Sequence, residues 1–127
     1  MFIVWNMNHM ELVDLVRQTG FEVHVYFKSG FLEKVYENSL CNRLRKKGIK
    51  VEQQVPLKVF DDDGSIVGEY IADLLIENLI IVELKAIQTL TNVQTAQILA
   101  YLKASEISHG ILMNFGNSKF QIKKYIL

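Results

Sequence analysis

Between Tyr70 and Ala86 the chain reads Tyr70-Ile-Ala-Asp-Leu-Leu-Ile-Glu-Asn-Leu-Ile-Ile-Val-Glu-Leu-Lys-Ala86, apolar almost throughout except for Asp73, Glu83, Lys85 and a turn. Charged side chains in so hydrophobic a hairpin are costly to bury unless something compensates them. Two carboxylates that face each other across adjacent strands repel, and keeping both ionised out of water requires a cation or the uptake of a proton. A hard divalent ion meets that need. Mg²⁺, with Mn²⁺ as a substitute, takes two carboxylates plus waters and the phosphate oxygens of a substrate. A lysine two residues from one ligand can then orient an attacking water or stabilise charge developing at phosphorus. The structural alternative is a buried salt bridge of Lys85 with Asp73 or Glu83 that holds the strands in register without chemistry.

Alternation along a strand puts Glu83 and Lys85 on one face and Ile80, Val82 and Leu84 on the other. Whether Asp73 joins Glu83 depends on the hairpin. A two-residue Glu77-Asn78 turn pairs position 73 with 82, whereas a three-residue loop through Leu79 pairs 73 with 83. The second register brings the carboxylates together and also sets Ala72, Leu74 and Ile76 opposite Leu84, Val82 and Ile80 in one apolar layer, so burial and chemistry favour the same loop.

The elements that must position these residues follow from periodicity. Leu12, Val13, Leu15, Val16, Thr19, Val23 and Phe27 recur at helical spacing, predicting a helix over about Met10 to Tyr26 with Asn8 as its start signal. A second helix is predicted from Leu32 to Lys47, with Leu32, Val35, Tyr36, Leu40 and Leu44 on one stripe and Gly48 as its stop. Strands follow at Val51–Phe60, Ile66–Ile76 and Leu79–Ala86 as an antiparallel meander, then a helix over Val93–Ala104 and strands at His109–Phe115 and Phe120–Ile126. The expected architecture is a single α/β domain over residues 1–127, with a mixed central sheet flanked by helices in the order ααβββαββ. Asp61-Asp62-Asp63-Gly64 is expected to be a hairpin turn, because the long spacing and terminal Glu of an EF-hand loop are absent.

Composition narrows the function classes. Fourteen basic and fourteen acidic side chains balance, which argues against a tight non-specific binder of a phosphate backbone. The cluster Arg43, Arg45, Lys46, Lys47 and Lys50 is what a helix C-terminus favours in any case. The single cysteine, Cys41, can form neither an intrachain disulfide nor a zinc site with a second cysteine, which points to a reducing, cytoplasmic setting. Met1-Phe2-Ile3-Val4-Trp5 is too short for a signal segment, and no apolar run reaches a membrane span of ~20 residues. His24 and His109 lack metal-ligand spacing and are assigned no role.

The motif Gly30-Phe-Leu-Glu33-Lys-Val-Tyr36 resembles that of the GxxExxY proteins, a group within the PD-(D/E)XK nuclease superfamily. The likeness continues through Glu22-Val-His24, Gln54-Val-Pro-Leu57, Gly68-Glu-Tyr-Ile-Ala-Asp73, Val82-Glu-Leu-Lys-Ala86, Ala96-Gln97 with Tyr101, and Asn114-Phe-Gly116. Ala72 stands where the superfamily signature has its proline, and Lys28-Ser29-Gly30 where family members tend to have Gly-Pro-Gly. The resemblance implies a restriction-endonuclease-like core in which Asp73 and Glu83 bind metal, Lys85 is the catalytic lysine, Glu33 is the helix-borne acid that completes the metal shell, and Gln97 contacts the water or substrate. On the residues alone, Glu33 is equally a helix N-terminal acid interacting with the dipole, and Gln97 with Tyr101 a polar rim on a core helix. Tyr36 is expected to pack against the sheet. The implied activity is Mg²⁺-dependent hydrolysis of phosphodiester bonds in DNA, with a homodimer as one way to span a duplex. A non-catalytic module that keeps the fold and binds nucleic acid or a protein partner is the alternative, motivated by the neutral charge.

Overall fold

A computed structural model describes residues 7–127; the apolar opening Met1–Trp5 lies outside the described residues. Three helices and five strands follow one another as α1 (His9–Phe27), α2 (Glu33–Lys46), β1 (Val51–Phe60), β2 (Ile66–Ile76), β3 (Ile80–Lys85), α3 (Asn92–Ser105), β4 (His109–Asn114) and β5 (Gln121–Ile126). The sheet has the order β1-β2-β3-β4-β5, antiparallel except for the parallel β3–β4 pair that α3 connects. This is the mixed, restriction-endonuclease-like α+β arrangement expected.

Local chemistry explains the boundaries. The Asn8 side chain accepts the Glu11 N–H at the start of α1. Thr91 and Gln94 form a reciprocal capping box at the start of α3. Gly48, with φ 82°, ends α2 in a conformation that side chains resist. The Asp61–Gly64 turn closes β1–β2 through Asp61 N–H to Ser65 O at 2.7 Å and Gly64 N–H to Asp61 O at 3.0 Å.

The sheet separates two cores. On one side α1 and α2 bury Leu12, Val16, Tyr36, Leu40 and Leu44 against Leu74, Ile76, Ile80, Val82 and Leu84. On the other, α3 covers Leu57, Ala72 and Ile81 with Tyr101 and Leu102. The β2–β3 loop is the three-residue Glu77-Asn78-Leu79, since Ile76 pairs with Ile80 and Leu74 with Val82. Glu77 and Asn78 take left-handed backbone angles of 52° and 56°, and Leu79 N–H closes on Ile76 O at 2.9 Å.

Two expectations are corrected. Ala72 does not share a layer with Leu74: it packs toward α3. Gln54, on β1 between the pairs Gln53↔Leu74 and Val55↔Ala72, has φ 54°, and this one left-handed residue breaks the alternation of faces. Leu32 is not on the buried stripe of α2 but is its N-cap, 81% exposed. The burial that Leu32 was to supply comes instead from Tyr36, which stacks on Phe115 at 4.6 Å as the sheet-packing reading requires.

Tyr36 also fastens the chain before α2. Its hydroxyl donates to Lys28 O at 2.6 Å and accepts the Phe31 N–H at 3.1 Å. Tyr36→Phe should therefore lower stability by about 1 kcal/mol in urea unfolding, because the ring contacts survive and only the hydroxyl bonds are lost. Tyr36→Ala should lower it by about 3–5 kcal/mol, the usual range for emptying an aromatic site in a core.

Candidate active site

Backbone pairing of β2 with β3 stops at Leu74↔Val82. One step further in the same register stand Asp73 and Glu83, and here side chains replace the ladder. Asp73 N–H donates to Glu83 Oε1 at 2.8 Å, and Leu84 N–H donates to Asp73 Oδ2 at 2.9 Å. Each carboxylate thus caps a backbone donor of the opposite strand at the point where the strands part. The two acids are brought together, as the three-residue loop requires.

Burial dominates their electrostatics. It pushes the Glu83 carboxyl up to about 8, with the Asp73 charge adding to the effect. The Asp73 carboxyl is raised by burial first and then by the Glu37 charge. Lys85 draws both the other way but does not offset burial. Among the described residues the ion pairs join Arg17 to Asp14, Lys34 to Glu37, Lys47 to Glu22 and Lys50 to Glu52, and Lys85 takes part in none. A salt bridge of Lys85 that merely holds register is therefore not the arrangement found.

Lys85 is half-buried at the end of β3 and borders a pocket of about 460 Å³ with Tyr70, Gln97 and Tyr101. Gln97 Nε2 donates to the Tyr101 hydroxyl at 3.0 Å, one turn along α3. Burial raises the Tyr101 phenol, and the next cause is the Glu83 charge, which places this ring beside the acidic pair. Gln97 is thus linked to the site through Tyr101.

Glu33 does not join the group. It lies exposed in the first turn of α2, while Glu37, one turn later, is 3% exposed and acts on Asp73. The separation along the helix axis, ~6 Å for four residues, accounts for the difference. Glu37 Oε1 accepts from Gln54 at 2.9 Å, and Oε2 accepts from Gln53 at 2.7 Å and from Lys34 at 3.0 Å. Gln54 Nε2 also reaches Asp73 Oδ1 at 3.4 Å, so it bridges the two acids. Glu37 was missed in the sequence, and Gln54 stood there only as part of the Gln54-Val-Pro-Leu57 likeness, with no role assigned. The available signal was Glu37 itself, an acid three and four residues before the buried Leu40 and Cys41.

The chain after Lys85 is clamped by the Asn114-Phe-Gly116 motif. Asn114, fully buried, accepts the Ile87 N–H at 3.0 Å and donates to Ile87 O at 2.9 Å and Gln121 Oε1 at 2.8 Å. Phe115 N–H donates to Lys85 O at 2.8 Å. A Cβ on Gly116 would collide with the backbone of Ala86 and Ile87, so only glycine lets the two segments approach this closely.

The donor set at the acidic pair, carboxylate oxygens that join no ion pair among the described residues, is the kind a hard divalent ion selects. Glu37, Asp73 and Glu83 are less tightly gathered than the carboxylates of Asp61, Asp62 and Asp63, which all lie within 4.8 Å of one another but sit exposed on the distal hairpin.

A family model for the PD-(D/E)XK nuclease superfamily matches residues 10–125. The chain belongs to that superfamily. Nucleases of this superfamily typically use divalent metals, and nucleic acid is the substrate class that membership suggests. The fold has a solved counterpart in the crystal structure of SSO0001, with a TM-score of 0.61 and 17% identity over 73% of this chain and 48% of that one. The chain thus spans about half the length of that protein, and the likeness is one of fold. No curated protein matches. No helix among the described residues is long and apolar enough to cross a membrane.

The raised carboxyls of this PD-(D/E)XK chain set a pH dependence. Unfolded, Glu83 ionises near its ordinary 4.5; folded, it holds its proton to about 8. The folded state therefore binds more protons between those values, and stability falls as pH rises through that window. Without divalent ions, the melting temperature should drop from pH 5 to pH 8, and Glu83→Gln should flatten the drop. Steeper loss in the variant than in wild type would show that Glu83 is not the group responsible.

Proposed function

We propose that this chain, as a single nuclease-like unit of the GxxExxY group, hydrolyses phosphodiester bonds in DNA with Mg²⁺, or Mn²⁺ in its place. The observation that carries this reading is the reciprocal Asp73–Glu83 pair, Glu83 buried and Asp73 half-buried, in no ion pair among the described residues, and next to a pocket that Lys85 borders. Asp73 and Glu83 would hold the metal. When bound, the ion supplies Lewis-acid stabilisation of the phosphate oxygens.

The chain's own residues supply the rest. Lys85 orients the attacking water and stabilises charge developing at phosphorus. Gln97 positions water or substrate, with its amide held by Tyr101. Glu37 acts through Gln54, which it aims at Asp73, and so is a positioning residue; both of its oxygens already accept hydrogen bonds. The lone thiol, Cys41, is buried, and burial pushes it up to about 11, which agrees with an inert cysteine in a reducing cytoplasm. A homodimer would present two such sites to the two strands of a duplex, and sedimentation that shows only monomer would remove it.

Calorimetric titration of Mg²⁺ and Mn²⁺ should show binding that disappears in both Asp73→Ala and Glu83→Ala. Lys85→Ala should keep the metal but slow cleavage by about 10²–10³-fold, the scale of losing one stabilising donor at a developing oxyanion. Glu37→Gln should weaken metal affinity by roughly 10–100-fold, as loss of an outer-shell partner does, whereas Glu33→Gln should leave it unchanged. Lys85→Ala cleaving like wild type, with no metal-dependent activity on single-stranded, duplex, branched or RNA substrates, would leave the non-catalytic binding module that the neutral charge favours.

A further inference from the structure

Lys85 borders a hollow of about 460 Å³, with aromatic and amide walls, between the stretch of β2 that no longer pairs with β3 and one face of α3. We propose that this hollow receives an unpaired nucleobase next to the scissile phosphate, so that the nucleic acid taken by the site is locally single-stranded. The inference rests on the nuclease reading above and specifies its substrate.

Three features converge on a base. The first is an aromatic platform. Tyr70 stands three residues before Asp73, where β2 no longer pairs with β3; the residue is 41% exposed, and its ring packs on Tyr101 at 5.2 Å with a 39° tilt. Tyr101 braces one side of the ring, and the solvent side is left to stack. The second is room and an apolar wall. Ala96 and Ala100 keep the floor open, and Val93, 72% exposed, closes the far side. The volume is within the range of about 300–1,000 Å³ that holds small ligands. The third is a matched pair of polar ends. Gln94 Oε1 is occupied by Thr91 and Gln97 Nε2 by Tyr101, while Gln94 Nε2 and Gln97 Oε1 bond no other described residue. An amide nitrogen of Gln94 and an amide oxygen of Gln97 thus remain for the edge of a base.

A base stacked within a duplex cannot offer its face to Tyr70, whereas an unpaired one can. The charge balance argues the same way. With fourteen basic and fourteen acidic residues the chain has little overall field to draw in a phosphate backbone, and stacking supplies affinity that does not depend on charge.

The test uses short oligonucleotides with 2-aminopurine beside the central phosphate, as single strands and as duplexes, in deoxyribose and ribose forms. Binding is measured in Ca²⁺ by anisotropy together with base fluorescence. The wild type should bind and quench the single strand. Tyr70→Ala should abolish the quench and weaken binding on the order of tenfold, Tyr70→Phe should retain both, and the duplex should respond to neither change. The two sugar forms decide whether the unpaired base is carried by DNA or RNA. Absence of a quench with wild type in both forms, a Tyr70→Ala variant that binds like wild type, or an equal loss on the duplex would each overturn the proposal. Cleavage in Mg²⁺ is followed in parallel with Asp73→Ala. Cleavage that needs Asp73 but ignores Tyr70 would retain the nuclease and discard the base pocket. A Tyr70-dependent quench from a wild type that never cleaves would discard the nuclease and retain the pocket.

Discussion

Two strands cannot part inside a protein without leaving backbone N–H groups that must find other acceptors, and the way β2 leaves β3 governs the rest of this structure. The acceptors here are the carboxylates of Asp73 and Glu83, each taking an N–H of the opposite strand. The pair therefore has two jobs. It seals the end of a broken ladder, and it concentrates two acids where burial opposes their charge. Replacing them by apolar residues would relieve the charge and expose the amides. A fork of this kind is stable only with groups that can accept hydrogen bonds, and a carboxylate has lone pairs beyond those the backbone takes.

Support for the fork comes from both faces of the sheet. On the α2 side, Gln54 adopts a left-handed backbone in the middle of β1, a conformation unfavourable for a side chain, and so reaches Glu37 and Asp73 together. On the C-terminal side, the parallel β4 strand and Asn114 hold the end of β3, so that Lys85 leaves the sheet in a defined direction. Tyr36 joins these supports: its ring stacks on Phe115, whose N–H bonds Lys85 O, and its hydroxyl secures the loop before α2. The Gly30–Tyr36 and Asn114–Gly116 motifs, far apart in the chain, thus meet in one stack of side chains.

Much of this was legible in the sequence because period and burial carry the same information. β1 and β2 have the ends expected of them, and the helices differ by only a residue or two, with Asn8, Gly48 and Thr91 marking three of their ends. The β2–β3 register was legible because one slip would have turned Leu74 and Ile76 out of the core. What escaped was what depends on a single residue's departure from its element. Alternation assigns Ala72 and Leu74 to one layer, and nothing in the identity of Gln54 reveals that it will break the pattern. Glu33 occupies the motif position, yet the helix starts there, and the acid that reaches the site is Glu37. Motif spacing identifies which helix supplies an acid; the depth of a residue along that helix comes only from packing.

The protonation of the pair connects structure to chemistry. With Glu83 raised to about 8, the site near neutral pH largely holds a proton in place of one charge, so a cation arriving there must displace it. Under the proposed metal role, affinity would fall as pH decreases, while the empty site grows more stable in the fold. The same exchange explains how the fold tolerates the fork: the proton neutralises Glu83 when nothing else does, and a divalent ion that took its place would complete its coordination with water and, when present, substrate oxygens. Phosphate approaching without an ion meets acids; a bound divalent ion would balance the charges of Asp73 and Glu83 and leave Lys85 as the positive group beside them. On the proposed reading a bound cation would make the fork a better phosphate acceptor than the empty site, and the protein's overall field need contribute little to that difference.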